Sequence, residues 1–288
     1  MTTATDRLVI TEPGVYDIPD VVYHADPIPG GSLSSSGARR LIPPSTPARF
    51  KWEQDHPVYK NVYDQGHAAH KLVLGAGAEF VVIDADDYRT KAAREERDAA
   101  RAEGLTPLLA AEHAVAQGMA RALVQHPIAS RLLAPGTGRP EQSLFWQDDL
   151  TGVWRRARLD WLPNPIPGRR MIVTDYKTTK AADDESLRKD IANYGYHQQC
   201  AWYKDAVVAL GLDAEPAMVF VFQEREPPYL VAVKELDHDS ERIGRARNDE
   251  ALGLYAQCVR DNHWPGYAED VQSIRLPGWY LNRYEELL

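Results

Sequence analysis

Val153 to Asp160 constrains the chain more than any other stretch. Trp154, Arg156, Arg158 and Asp160 fall on one side of an extended segment, Val153, Ala157 and Leu159 on the other, with Arg155 out of pattern. Alternation of this kind marks a strand with two different faces. A strand-like run from Glu141 to Gln147 precedes it across the turn Asp148-Asp149-Leu150-Thr151-Gly152, and an apolar run from Met171 to Lys177 follows. Short connections keep such strands in one sheet. Asp160 lies 15 residues before Asp175, room for one hairpin through Asn164 to Arg169, so pairing brings the two carboxylates together. Close carboxylates repel unless a cation sits between them. Mg²⁺ binds through one or two carboxylates plus waters and phosphate oxygens, which fits.

The rest of the chain is read around that sheet. Its 288 residues suit one large domain, with no repeat or long linker. Residues 1–31, holding Pro13, Pro19, Pro27, Pro29 and Gly30-Gly31, read as irregular, residues 32–135 as mainly helical, and 136–288 as the α/β core. Ser34-Ser35-Ser36 open a short helix stopped by Pro43-Pro44; Ser45 or Thr46 caps a second with Pro47 in its first turn. A third helix is expected over Asp64–Leu74, a strand over Phe80–Ile83 and helix over most of 89–133. Helices at 184–192 and 195–210, a strand pair at 217–223 and 229–234, and a long helix at 239–262 complete the pattern. The expected class is α/β: a mixed central sheet flanked by helices, with a helical N-terminal portion.

Composition removes several classes. The balance of 44% hydrophobic and 26% charged residues is globular, and no apolar run approaches a membrane span. Two cysteines, Cys200 and Cys258, exclude a disulfide scaffold and any four-cysteine zinc or iron–sulfur site. The first ten residues include Asp6 and Arg7 and lack a signal-peptide core, so a cytoplasmic location is expected. A net charge of −9 argues against coating nucleic acid through a global positive field, but not against a local basic channel beside metal-neutralised carboxylates.

Four further features carry chemistry. Asp175 and Lys177 share one strand face about 7 Å apart, while Tyr176 points away. Chance supplies about one acid-x-Lys match at this composition, so a strand-end salt bridge is the competing reading. His67 and His70 sit one turn apart on the third helix, where hydrogen-bonded interface histidines or a zinc pair are the alternatives. Glu141 opens the first core strand and reads either as a surface residue or as a further oxygen ligand. Gln199 and Tyr203, four apart on a helix with Tyr196 nearby, offer polar tips for core packing or for supporting a site.

Taken in order, Gly66-x-x-x-His70, Glu141, Asp160, Asp175-x-Lys177 and Gln199-x-x-x-Tyr203 resemble the PD-(D/E)xK nuclease superfamily. They look most like its exonuclease branch, which holds the RecB nuclease domain, lambda exonuclease and RecE. Leu33-Ser34-Ser35-Ser36 and Leu276-Pro277-Gly278-Trp279 resemble phage and prophage RecE-type enzymes. Leu159 stands where the family name has proline, and the cysteines of the iron–sulfur branch are absent.

The resemblance implies that His70, Asp160, Asp175 and the Tyr176 carbonyl ligate Mg²⁺ or Mn²⁺, with Glu141 nearby. It also implies that Lys177 positions the attacking water and that Gln199 and Tyr203 steady Lys177 or a phosphate. Ser34, Ser35 and Ser36 with Arg39 are expected to hold a terminal 5′-phosphate, with plain helix capping as the alternative. Arg156 and Arg158, on the metal face by alternation, are expected to grip the DNA backbone unless they pair inside the sheet. The implied activity is 5′→3′ digestion of linear double-stranded DNA, leaving 3′ tails for a RecT-like single-strand annealing protein in a bacterial host cell. A homo-oligomeric ring, trimer or tetramer, is implied too. A structure-specific or restriction-type endonuclease and a non-catalytic DNA-binding relative are the alternatives.

Overall fold

The computed structural model describes residues 8–56, 70–77, 79–268 and 270–287. Among them, seven strands form one mixed sheet. β1 (Gly14–Tyr16), β5 (Gly138–Gln147), β6 (Trp154–Pro163), β7 (Ile172–Thr179), β8 (Ala217–Glu224) and β9 (Val231–Glu235) succeed one another across it. β2 (Leu33–Ser34) attaches to β6 in parallel. The pairs β1–β5, β5–β6 and β6–β7 are antiparallel, β7 and β8 are parallel, and β9 is antiparallel to β8. A separate parallel pair joins β3 (Phe80–Ile83) to β4 (Thr106–Leu109).

The helices, in chain order, are α1 (Asp20–His24), α2 (Ser35–Leu41), α3 (Pro47–Asp55), α4 (Lys91–Ala102), α5 (Ala110–Gln125), α6 (Ala129–Leu132), α7 (Asp184–Tyr194), α8 (Tyr196–Ala209), α9 (His238–Asp261) and α10 (Gly278–Leu281). Residues 70–74 are helical as well. No described helix is long and apolar enough to cross a membrane.

Local sequence explains the boundaries. Ser34 Oγ accepts from Gly37 N at 3.1 Å to cap α2, and Thr46 caps α3 with Pro47 in its first turn. Asp183 and Asp237 do the same for α7 and α9. Each such cap contributes about 1 kcal/mol. Gly195, at φ +67°, ends α7 and starts α8, a left-handed joint that side chains other than glycine rarely take. Gly244 lets α9 lie directly on the backbone of His197, because any Cβ there would collide with the His197 carbonyl.

Helices cover both faces of the sheet. On one face, Leu41 of α2, Trp202 of α8 and Leu252 of α9 close over Leu144, Leu159, Val173 and Phe220. On the other, Met119 and Leu123 of α5 and Leu133 pack on Trp161, Tyr176 and Val221. β6 keeps its predicted period as far as Asp160: Arg155, Ala157 and Leu159 are buried, with half-buried residues between, and Trp161 then joins the second core. β7 does likewise. Val173 joins the first core, Tyr176 the second, so Asp175 and Lys177 face α8.

Three expectations need correction. Residues 8–31 are not wholly irregular: Val15 and its neighbours pair with β5, and Tyr23 of α1 packs on Phe145. The prolines there bound short elements and do not abolish them. Residues 89–133 are interrupted by β4, whose Pro107 disguised it; a two-stranded edge tolerates the missing donor. Leu33-Ser34, expected only as a helix start, adds β2 before the cap. The Asp64–Leu74 helix is seen only over 70–74; Gly66 and His67 lie outside the described residues.

Candidate active site

Asp160 and Asp175 meet where β6 and β7 part. The two strands share the pair Trp161–Thr174, which sets Asp160 beside Asp175 across the ladder. Further along the same edge, β6 pairs with β2 at Arg155 and Arg156. In the gap between, α8 supplies the donors: Trp202 Nε1 donates to the Arg156 carbonyl at 3.0 Å and the Tyr203 hydroxyl to the Arg158 carbonyl at 2.8 Å. Asp160 Oδ2 accepts from the Tyr176 amide at 2.8 Å.

Glu141 comes from the opposite edge of β6. Its neighbours Pro140 and Gln142 pair with Trp161 and Leu159, so it falls opposite Asp160. Its φ is +55°, a strained conformation for a non-glycine residue and one that clusters at functional sites. Arg158 Nε donates to Glu141 Oε2 at 2.6 Å. His70 then bridges the carboxylates, with Nδ1 3.0 Å from Glu141 Oε1 and Nε2 3.0 Å from Asp160 Oδ2. One ligand atom each from His70, Glu141 and Asp160 lies within 4.8 Å of the others.

Asp175 is fully buried. Its Oδ1 accepts from Gln199 Nε2 at 2.6 Å, and its Oδ2 lies 2.6 Å from Lys177 Nζ but outside hydrogen-bonding geometry. Lys177 Nζ sits 5.3 Å over the Tyr196 ring.

Burial and crowding set the charges. Burial pushes the Asp175 carboxyl up, the Asp160 charge adds to it, and Lys177 only partly offsets them, leaving it at about 7. Burial disfavours the His70 cation, but Asp160 and Glu141 outweigh burial and push it to about 10. Burial likewise disfavours the Lys177 ammonium, and Asp175 and Asp160 overcome it and raise its pKa. For Asp160 burial is overcome by His70, Lys177 and the Tyr176 amide, which hold it ionised.

The residues fit a divalent cation. A ring nitrogen and carboxylate oxygens are a donor set for Mn²⁺ or Mg²⁺. Asp175 keeps a buried oxygen without a well-formed hydrogen bond, and a proton on His70 occupies the space a cation would take between two carboxylates. His70, Glu141 and Asp160 therefore form a candidate metal site, with Asp175 beside it.

A cavity of about 250 Å³ opens next to Lys177. Ser34, Ser35, Ser36 and Arg39 line it together with Gln199 and Tyr203. Ser34, not Ser36, makes the helix-capping bond; Ser36 Oγ lies 3.2 Å from Ser34 Oγ. Arg39 forms no hydrogen bond or ion pair among the described residues, and burial followed by its neighbour Arg40 lowers its pKa.

Most sequence-predicted residues converge here, though not all in the expected posture. Gln199 holds Asp175 rather than Lys177, and Tyr203 braces the backbone of β6. The Tyr176 ring is buried on the far face, its hydroxyl donating to Gln223 Oε1 at 2.7 Å. Arg156 and Arg158, expected on DNA, are engaged internally. Arg156 pairs with Asp26 and donates to Ser32 Oγ at 2.8 Å; Arg158 holds Glu141, Ser143 and the Ile18 carbonyl. The N-terminal segment supplies Asp26, Ser32 and the Ile18 carbonyl, and β5 supplies Glu141 and Ser143, none of which strand periodicity alone reveals. That segment also brings Tyr23 to the cavity, and no motif marks it. Tyr196 was readable from its spacing three residues before Gln199.

The family comparison agrees with this geometry. A model described as a PDDEXK-like domain of unknown function (DUF3799) matches residues 50–277, and the chain belongs to that family. Its fold is that of the PD-(D/E)xK nuclease superfamily. Among solved structures, a protein from Eubacterium rectale provisionally described as an exonuclease aligns with TM-score 0.55 at 9% identity, over 88% of this chain and 92% of its own. A second, SSO0001, aligns at 14% identity over 72% of this chain and 88% of its own, with TM-score 0.30, too low to carry an argument. No curated protein matches the sequence.

Proposed function

We propose that the protein is a metal-dependent deoxyribonuclease that digests linear double-stranded DNA from its 5′ ends. The observation that carries this reading is that Lys177, 2.6 Å from Asp175 beside the His70–Glu141–Asp160 cluster, lines a cavity together with three serines and Arg39. Mg²⁺ or Mn²⁺, held by His70, Asp160, Asp175 and the Tyr176 carbonyl with Glu141 alongside, supplies Lewis-acid polarisation of the scissile phosphate and an acidified water when bound.

The chain's own residues do the rest. Lys177, protonated beside Asp175, orients the attacking water and offsets charge on the phosphate. Gln199 fixes the Asp175 carboxylate through Oδ1, and Arg158 fixes Glu141 through Oε2. Ser36 and Arg39, beside the helix-capping Ser34, hold the terminal 5′-phosphate; an arginine with no ion-pair partner among the described residues suits that anion. Ser35 lines the same pocket.

The same reading includes 3′ single strands as product, a RecT-like annealing protein as their recipient, a ring of three or four subunits around duplex DNA, and action in a bacterial cytoplasm. The test is digestion of end-labelled linear duplex with Mg²⁺, beside a closed circular plasmid. Release of 5′ label first, with the plasmid untouched, supports the proposal. Nicking of the plasmid replaces it with an endonuclease, and absence of hydrolysis with any divalent metal replaces it with a DNA-binding protein.

A further inference from the structure

The C-terminal arm is exposed along its described residues. Trp264 stacks 5.9 Å from Phe50 and the Pro265 carbonyl accepts from Ala48 N, which ties the chain down just past α9. Beyond that tie every described residue from Gly266 to Tyr280 is exposed. The arm is nevertheless rich in apolar groups: Tyr267, Val271, Ile274, Leu276, Trp279, Tyr284 and Leu287 are exposed, Val271 at 102% and Ile274 at 95%. Its ring contacts are internal, Trp279 on Tyr280 and Tyr280 on Tyr284. Monomers seldom leave so continuous an apolar segment in water. These side chains offer on the order of 800 Å², what one partner of a standard interface buries.

Elsewhere on the molecule an apolar groove of about 610 Å³ runs between α7 and the start of α9. Leu187, Ile191, Leu236 and Ile243 line it, and Ile243 is 56% exposed. Its rim carries Asp184, Glu235 and Asp237 against Arg188 and Lys234, a net negative edge. The arm segment Arg275-Leu276-Pro277-Gly278-Trp279-Tyr280-Leu281-Asn282-Arg283 is complementary: an apolar centre, an arginine at each end and no acid.

We propose that residues 275–283 of one copy dock in this groove on a second copy of the chain. The groove lies at the beginning of α9 and the arm leaves from its end, about 35 Å away at 1.5 Å per residue. To reach its own groove the arm would have to reverse at Pro265 and run back along the whole helix, whereas its described residues from Gly266 to Tyr280 are all exposed. Arm into groove is a head-to-tail contact, which closes into a ring when the rotation per subunit allows. The inference is independent of the nuclease reading and its test uses no activity.

The test uses the full chain with Ile243→Cys and Trp279→Cys, both exposed positions, since Cys200 and Cys258 are buried and stay out of the reaction. Mild oxidation of a one-to-one mixture of the two single variants should give a covalent dimer on a non-reducing gel. The double variant should give a ladder of higher species. Failure of the mixture to cross-link overturns the proposal, and so does an intrachain link confined to the double variant.

Discussion

Two clusters of buried charge flank β6, and they are neutralised differently. Around Arg155, whose guanidinium stacks 4.8 Å from Trp146 and 4.0 Å from Trp202, the counter-charges are Asp148 at 3.5 Å and Asp205 at 3.2 Å. Asp205 also pairs with Arg245, and Glu241 with Arg245 and Lys204. Three basic side chains, Arg155, Arg245 and Lys204, face three acids. On the other side, Glu141, Asp160 and Asp175 face Arg158 and Lys177, and balance needs a proton on His70. The first cluster is complete with its own residues. The second is complete only with a borrowed cation, a proton or a metal, and that dependence separates a site from a strut.

The sharpest way to break this contrast is to remove acids from the second cluster. Asp175→Asn should reduce phosphodiester hydrolysis by ~10³-fold or more, about 4 kcal/mol of transition-state stabilisation. Its thermal midpoint without metal should stay level or rise, because a carboxylate crowded by Asp160 is gone. Lys177→Ala should match that loss of turnover while binding Mn²⁺ as wild type does. Hydrolysis at wild-type rate in either variant would reduce Asp175-Tyr176-Lys177 to a strand-end salt bridge.

Arg155→Leu should do the reverse. It leaves Asp148 without its ion-pair partner and Asp205 with Arg245 alone, so urea unfolding should show a loss of about 3–5 kcal/mol, with hydrolysis per folded molecule unchanged.

Metal addition sharpens the same contrast on a smaller scale. Mn²⁺ at a hundred times its Kd should stabilise the wild-type protein by about 2.7 kcal/mol and Asp160→Asn far less, read as a shift in thermal midpoint. Below about pH 10 the metal-free fold holds a proton on His70 that ligation must expel. Affinity should therefore rise with pH, by up to tenfold per unit. Affinity flat between pH 6 and 8 would remove His70 from the ligand set.

The smallest effects divide the serines. Ser34→Ala removes the α2 cap and should lower stability by about 1 kcal/mol, on every substrate alike. Ser36→Ala should leave stability unchanged and slow digestion of 5′-phosphorylated duplex, with little change on 5′-hydroxyl ends. Equal slowing on both ends would leave the cavity without a phosphate role.

The alternation of β6 and the interval between Asp160 and Asp175 made the sheet centre readable, since both follow from strand geometry and one short hairpin. The helix bearing Gln199 and Tyr203 was readable from its four-residue spacing. What stayed hidden depends on contacts distant in sequence. Asp26 and Ser32 reach Arg156 from more than 120 residues away, so alternation placed the arginine on the right face and missed its partner. Glu141 adopts a left-handed backbone that no local propensity favours; Arg158 and His70 hold its side chain there. β2 spans two residues and β4 contains a proline, too little and too atypical a signal for periodicity to register.

The parting of β6 and β7 has a consequence for the β6 edge. Carboxylates on adjacent rungs of a continuous ladder are locked at the ladder's own spacing. Here Asp160 and Asp175 stand at the root of a fork, and on its open side the β6 carbonyls of Arg156 and Arg158 accept from Trp202 and Tyr203 rather than from β7. On that side the β6 edge is satisfied by two helix side chains, so its hydrogen bonding is a side-chain property and not a ladder property.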